Sequence, residues 1–198
     1  MLPKGLVPRL ALAVALLAPA AAHAQLELGA RIGWAVPAGH AYSGSNLAAL
    51  VNGALPLQLD VGYRLTPALS VGVYASWALA RVDAHVTEGA GVKGASVLRA
   101  GLRVSYALLD LSPTLVPWAA LGAGYQRLNL DAASDFTYTG WDVALIEGGA
   151  DWKVSPSLRA GPFISWSLGR YLKLNGGDLS PKGGHAWVTL GLRGTFGL

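Results

Sequence analysis

A chain of 198 residues with 53% hydrophobic and only 13% charged residues is too apolar for an ordinary soluble domain, where about a quarter of the residues are charged. It contains no cysteine, which excludes disulfides, a cysteine nucleophile, thiolate metal sites and a lipid attached to an N-terminal Cys. Without Lys4 and Arg9, which belong to a segment expected to be removed, 13 basic residues stand against 11 acidic ones, too small an excess to suggest a nucleic-acid partner.

The N-terminal segment reads as a secretory signal. Lys4 and Arg9 precede an apolar run from Leu10 to Ala22, and Ala22-His23-Ala24 fits a small-x-small cleavage site, so residues 1–24 are expected to leave and residues 25–198 to form one domain. No transmembrane helix is expected after it. The long uncharged stretch from Ile32 to Leu59 is broken by Pro37, Gly39, Asn46, Asn52, Gly53 and Pro56, whereas a spanning helix needs about 20 apolar residues in a row.

Period-two alternation appears instead, eight times. The apolar rows are Leu26, Leu28, Ala30, Ile32 and Trp34; then Leu55, Leu57, Leu59, Val61 and Tyr63; then Leu69, Val71, Val73, Ala75 and Trp77. A fourth row runs Leu98, Ala100, Leu102, Val104, Tyr106, and a fifth Leu115, Pro117, Ala119, Leu121, Ala123, Tyr125, with Pro117 expected near its strand's start. The last three are Ala144 to Trp152, Leu158 to Trp166 and Ala186 to Phe196, each taken at alternate residues. Such rows mark strands that show one face to an apolar phase, the pattern of an all-β, eight-stranded antiparallel up-and-down transmembrane β-barrel. Every row closes on an aromatic residue. In antiparallel order Trp34, Trp77, Tyr125 and Trp166 fall at one rim, and Tyr63, Tyr106, Trp152 and Phe196 at the other, as two interfacial belts would.

The opposite parity carries the strand charges: Glu27, Arg31, Asp60, Arg99, Arg103, Glu147, Asp151, Arg159 and Arg193. These are expected to form a lumen ion network, since a buried charge requires a partner. Strand order suggests Glu27 with Arg193 across the closing seam, Asp151 with Arg159 beside a turn, and Glu147 with Arg99 or Arg103. Around them lie small or polar inward residues and some apolar ones, Trp118, Val143, Leu145, Phe163 and Trp187.

Three segments share the form aliphatic, hydroxyl, Pro, x, Leu: residues 65–69, 111–115 and 154–158. They predict tight turns on one side. The connections around Val36 to Gly53, Arg81 to Ala95, Leu128 to Gly140 and Tyr171 to Gly184 are longer and predict loops on the other, which in such barrels is the outside of the cell.

With its leader, its alternating strands, Ala120-Leu121-Gly122-Ala123-Gly124-Tyr125 and the final Leu190-Gly191-Leu192-Arg193-Gly194-Thr195-Phe196, the chain resembles the small outer-membrane β-barrels that include the OmpA transmembrane domain and OmpX-like proteins. The resemblance implies the bacterial outer membrane as location, outer-membrane lipid and lipopolysaccharide as surroundings, and the barrel-insertion machinery as a partner through the C-terminal strand. Family members often end on Phe itself, whereas Gly197 and Leu198 follow here.

Catalytic constellations are sparse. A lipid-modifying barrel enzyme needs His and Ser two residues apart on one strand face; Ser165-Trp166-Ser167 has the spacing and lacks the His. Asp83 and His85 share a loop and offer a base with its orienting group, as in a protease, although such loop pairs are ordinarily solvated, and no phosphate loop, metal motif or cofactor motif is present. Lys173 and Lys182 are loop cations that suit lipopolysaccharide phosphates or plain solvation. The expectation is a structural or surface-interaction barrel with a closed polar core and no catalysis, metal or cofactor. The alternatives are an OmpW-like narrow channel for small hydrophobic molecules, a lipid-modifying barrel enzyme, and a soluble calycin-like binder with the apolar rows turned inward.

Overall fold

The computed structural model describes residues 26–42, 45–82, 92–109, 111–132 and 135–197; the expected leader, Asp83 and His85 lie outside them. Eight long strands form: β1 (Leu26–Tyr42), β2 (Val51–Arg64), β3 (Leu69–Val82), β4 (Gly94–Ala107), β5 (Leu115–Asp131), β6 (Phe136–Lys153), β7 (Leu158–Leu174) and β8 (Gly184–Gly197). Each pairs antiparallel with the next, and β8 pairs back onto β1 from Glu27↔Gly197 to Gly39↔His185. The sheet therefore closes. Two-residue strands at Ser45–Asn46 and Gly177–Asp178 extend it at the loop rim, and a one-turn helix, Leu47–Leu50, sits between β1 and β2.

The repeated turn motif works through its hydroxyl. Thr66 Oγ1 accepts from the backbone N–H of Leu69 at 3.0 Å, Ser112 Oγ from that of Leu115 at 3.2 Å, and Ser155 Oγ from that of Leu158 at 3.0 Å. At each of these turns, then, a side chain satisfies a donor that a reversing backbone leaves free. The opposite connections are shorter than the sequence suggests. β1 runs to Tyr42 and β7 to Leu174, because strand pairing continues past the apolar rows wherever residues such as Leu128, Leu130, Tyr138 and Tyr171 can still bury one face.

All eight apolar rows face away from the lumen; Leu59, Leu102, Leu121 and Leu190 are more than 60% exposed. A calycin-like arrangement, with these rows sealed inside, is not what forms. Pro117 lies at the third position of β5, as expected. Val143 is a correction: it points outward, because β6 carries one residue more than its neighbours between Asp142 and Ala144. That β-bulge changes parity. Counting back by twos from Ile146 and Ala144 puts Asp142 on the outer face, yet the extra residue returns it to the lumen, where it is almost fully buried.

The bulge makes a sharp test. Deleting Val143 restores plain alternation with Asp142 and Leu145 both inward, so the barrel should still assemble. Deleting Gly148 instead turns Asp151 outward and should abolish assembly. Refolding followed by the mobility shift between folded and heat-unfolded barrel on a gel reads both; equal behaviour of the two deletions would contradict the register.

Candidate functional site: the layered lumen

Small inward residues leave space for large ones. A Cβ on Gly149 would lie 2.9 Å from the Trp118 ring, and one on Gly124 would lie 2.5 Å from the Tyr74 hydroxyl, so these glycines are what lets two aromatic side chains cross the lumen. The result is a set of layers stacked along the barrel axis.

Nearest the short turns, Glu27 holds two cations: Arg159 Nη2 donates to it at 2.6 Å, and Arg64 also donates to Oε1. Above this, Arg193 makes a two-pronged pair with Asp151, Nη2 to Oδ2 at 2.6 Å and Nε to Oδ1 at 3.0 Å. Its guanidinium carbon lies 3.3 Å from the centre of the Trp118 ring, and Trp118 Nε1 donates to Asp151 Oδ1 at 3.2 Å. At the centre, Arg31 bridges Asp60 and Glu147, each at 2.7 Å, between the rings of Phe163 and Trp118. Arg103 completes this layer with Glu147 at 3.3 Å and Asp60 at 3.7 Å, and Gln58 donates to Asp60 at 2.9 Å.

Of the next layer, the sequence flags only Trp187 and Arg99. Gln126, Asp142, Tyr171, His185 and Trp187 are almost fully buried together. With its amide oxygen toward the donors, Gln126 accepts from the Tyr171 hydroxyl at 2.7 Å and Trp187 Nε1 at 3.1 Å, and its nitrogen donates to Asp142 Oδ1 at 2.8 Å and His185 Nε2 at 3.0 Å. His185 stacks on Tyr171 at 4.2 Å, and Arg99 lies 3.6 Å from Asp142 and over the Trp187 ring. At the loop rim the lumen turns apolar. Leu47 from the one-turn helix, Val51, Val92, Leu128 and Tyr138 close it.

Two expected pairings are therefore corrected, and the choice left open for Glu147 is resolved. Glu27 does not meet Arg193, because the seam sets Arg193 opposite Arg31 and Glu27 opposite Gly197. Asp151 takes Arg193 rather than Arg159, which reaches down to Glu27. Of the two candidates for Glu147, Arg103 is the neighbour, and Arg99 goes to Asp142. All nine expected lumen charges do point inward, joined by Arg64 and Asp142, which leaves one more arginine than carboxylate among the described residues. The polar core is also less extensive than expected, since its outer end is apolar. Gln126, Tyr171 and His185 all lie on lumen parity at the outer strand ends, and only that parity, carried past the aromatic rows, could have flagged them.

On the outer wall Trp34, Trp77 and Trp166 are exposed at the loop rim, with Tyr125 half-buried against Trp141 at 5.8 Å between ring centres. Tyr63, Tyr106, Trp152 and Phe196 are exposed at the turn rim.

A closed strand cylinder with apolar side chains outside and ion pairs inside inverts the plan of a soluble domain, and only a molecule with hydrocarbon around it gains from that. That is the class of an integral membrane β-barrel. The model of the outer membrane protein beta-barrel domain family matches residues 10–183, and the chain belongs to this family. Its fold is shared with Neisserial surface protein A (15% identity, TM-score 0.52, covering 86% of this chain and 95% of that one) and with OprG from Pseudomonas aeruginosa (15%, 0.50, 86% and 95%). A major outer membrane protein from Thermus thermophilus is similar as well (14%, 0.50, 88% and 99%). Among curated sequences none matches. The chain is thus a small barrel of the bacterial outer membrane.

The pairings yield a double-mutant cycle. Arg193→Met alone strands the buried Asp151 and should cost about 3–5 kcal/mol. Adding Asp151→Asn should recover part of this, with a coupling of about 1–3 kcal/mol, while Arg193 with Glu27→Gln should show almost none. Urea unfolding in phospholipid vesicles measures each; coupling to Glu27 instead of Asp151 would reject the seam register.

Proposed function

We propose that this protein is a closed structural barrel that anchors surface-exposed loops in the outer membrane, without catalysis, cofactor or metal. The observation that carries this is the filled lumen. Cavities within it measure about 20, 30 and 20 Å³, the last two sharing Arg99 in their walls, and an eight-stranded barrel is only wide enough for its own side chains. The tight turns face the periplasm and the opposite rim faces outward, with the two aromatic rows at the headgroup levels of the two leaflets. Outer-membrane lipid, lipopolysaccharide and, through the C-terminal strand with Phe196, the barrel-insertion machinery are its partners. Nothing about a nucleic acid is supported by its charge.

A second reading has one observation in its favour. The apolar outer end, lined by Leu47, Leu128, Tyr171 and Trp187 and stoppered by the Leu47–Leu50 helix, suits a small hydrophobic molecule, as a narrow channel would. Uptake of a fluorescent fatty acid by cells that carry the barrel, against cells that lack it, separates the two.

For the closed barrel, planar bilayers holding refolded protein should show no steady conductance steps; porin-sized steps would overturn it. The membrane placement has its own check. Leu102 lies four residues from Tyr106 and four from Leu98, the register partner of Trp77, which puts it near the midplane. Leu102→Arg should therefore cost about 2–4 kcal/mol in vesicles, and an unchanged unfolding midpoint would contradict that depth.

A further inference from the structure

Past the outer aromatic row, the wall of the barrel becomes cationic on one side. Leu121, Ile146 and Trp166 are register partners across β5, β6 and β7, and form an apolar row. Nearer the loop rim, Tyr125, Trp141 and Arg170 make another, and the one beyond it is Arg127, Thr139 and Lys173. Arg127, Arg170 and Lys173 are exposed, and none of them forms an ion pair among the described residues. Arg127 Nε donates to Asn129 Oδ1 at 2.9 Å, which leaves its remaining guanidinium donors unused.

Plain alternation along β7 would turn Lys173 toward the lumen. A second bulge, one extra residue at Leu172 between the pairs Gly140↔Tyr171 and Thr139↔Lys173, returns it to the outer wall beside Arg127 and Arg170. Carboxylates are present nearby: Asp131 and Asp135 border an open groove of about 380 Å³ with Arg127, and Asp178 sits directly across from Lys173 as its register partner, without an ion pair between the two. At the same rim β1, β2 and β8 offer apolar Val36, Leu55 and Val188, and Arg81 stands apart on β3. The turn rim shows the reverse, since Arg64 and Arg159 fold inward onto Glu27.

We propose that Arg127, Arg170 and Lys173 form a binding site for the phosphorylated sugar headgroup of a lipid A-type glycolipid, whose acyl chains lie on the apolar wall below. The site rests on the outer-membrane placement proposed above. Apolar row, aromatic row and cationic row follow the order of chains, glycerol or sugar, and phosphate in an amphiphile. Arg127 and Lys173 stand two strand spacings apart, about 10 Å, wider than one phosphate spans, so a headgroup with two phosphates suits them better than a glycerophospholipid.

The test uses refolded full-length barrel in phosphatidylcholine nanodiscs, with native mass spectrometry reading bound lipid. Diphosphoryl lipid A should bind about ten-fold more tightly than dephosphorylated lipid A or phosphatidylglycerol. The triple variant Arg127→Gln, Arg170→Gln, Lys173→Gln should lose about ten-fold of that affinity, and Arg81→Gln less than about two-fold. Should the triple variant not assemble, Arg127→Gln and Arg170→Gln singly are each expected to lose about three-fold. Equal binding by native and substituted barrels, or equal binding of phosphatidylglycerol, would overturn the site. A native barrel that refuses to insert into phosphatidylcholine at all would overturn the membrane placement itself, a distinguishable failure.

Discussion

Closure of β8 onto β1 decides what the rest of the molecule can be. Each peptide group exposed to hydrocarbon without a partner costs several kcal/mol, and a sheet with two edges would carry a row of them. The pairing from Glu27↔Gly197 to Gly39↔His185 removes both edges. It also fixes the stagger of the cylinder. Arg31 falls beside Arg193, two like charges that are tolerable only because each has its own carboxylates, Asp60 and Glu147 for one and Asp151 for the other.

Closure then dictates how the interior is filled. An eight-stranded cylinder encloses little more than side chains, and with the apolar residues committed to the outer wall the interior is left to small, polar and charged ones. A buried charge without a counter-charge is costly, so the arginines and carboxylates interleave by layer, with Trp118 and Phe163 packed against the guanidinium faces of Arg193 and Arg31. Near the loop rim the charges thin out, and apolar groups from the Leu47–Leu50 helix and the outer strand ends take over. The two lumen regimes are the physical ground for the two functional readings, a plugged anchor and a stoppered apolar cup.

Bulges adjust this plan where strict alternation would fail. In β6 the extra Val143 keeps Asp142 inside with Arg99; in β7 the extra Leu172 moves Lys173 outside. One residue in a strand thus selects whether a charge meets the lumen or the headgroups. Both bulges lie in the same corner of the barrel, beside the Tyr125–Trp141 pair, where a bend and increased twist accompany the tall ends of β5, β6 and β7.

The sequence by itself determined the class of fold, the eight strands, the outward rows and the three tight turns, because a period of two and a hydroxyl-Pro turn are local properties that each segment carries alone. It also determined that Glu27, Arg31, Asp60, Arg99, Arg103, Glu147, Asp151, Arg159 and Arg193 share the inward parity. Which of them meet was decided only by tertiary structure. Partners such as Arg31 and Glu147 are 116 residues apart, and their height in the lumen depends on the stagger of every intervening strand, which no single segment encodes. Asp142 and Lys173 show the same limit at its most local, since a bulge is a property of two strands in register, and the sequence of either one alone reads as plain alternation.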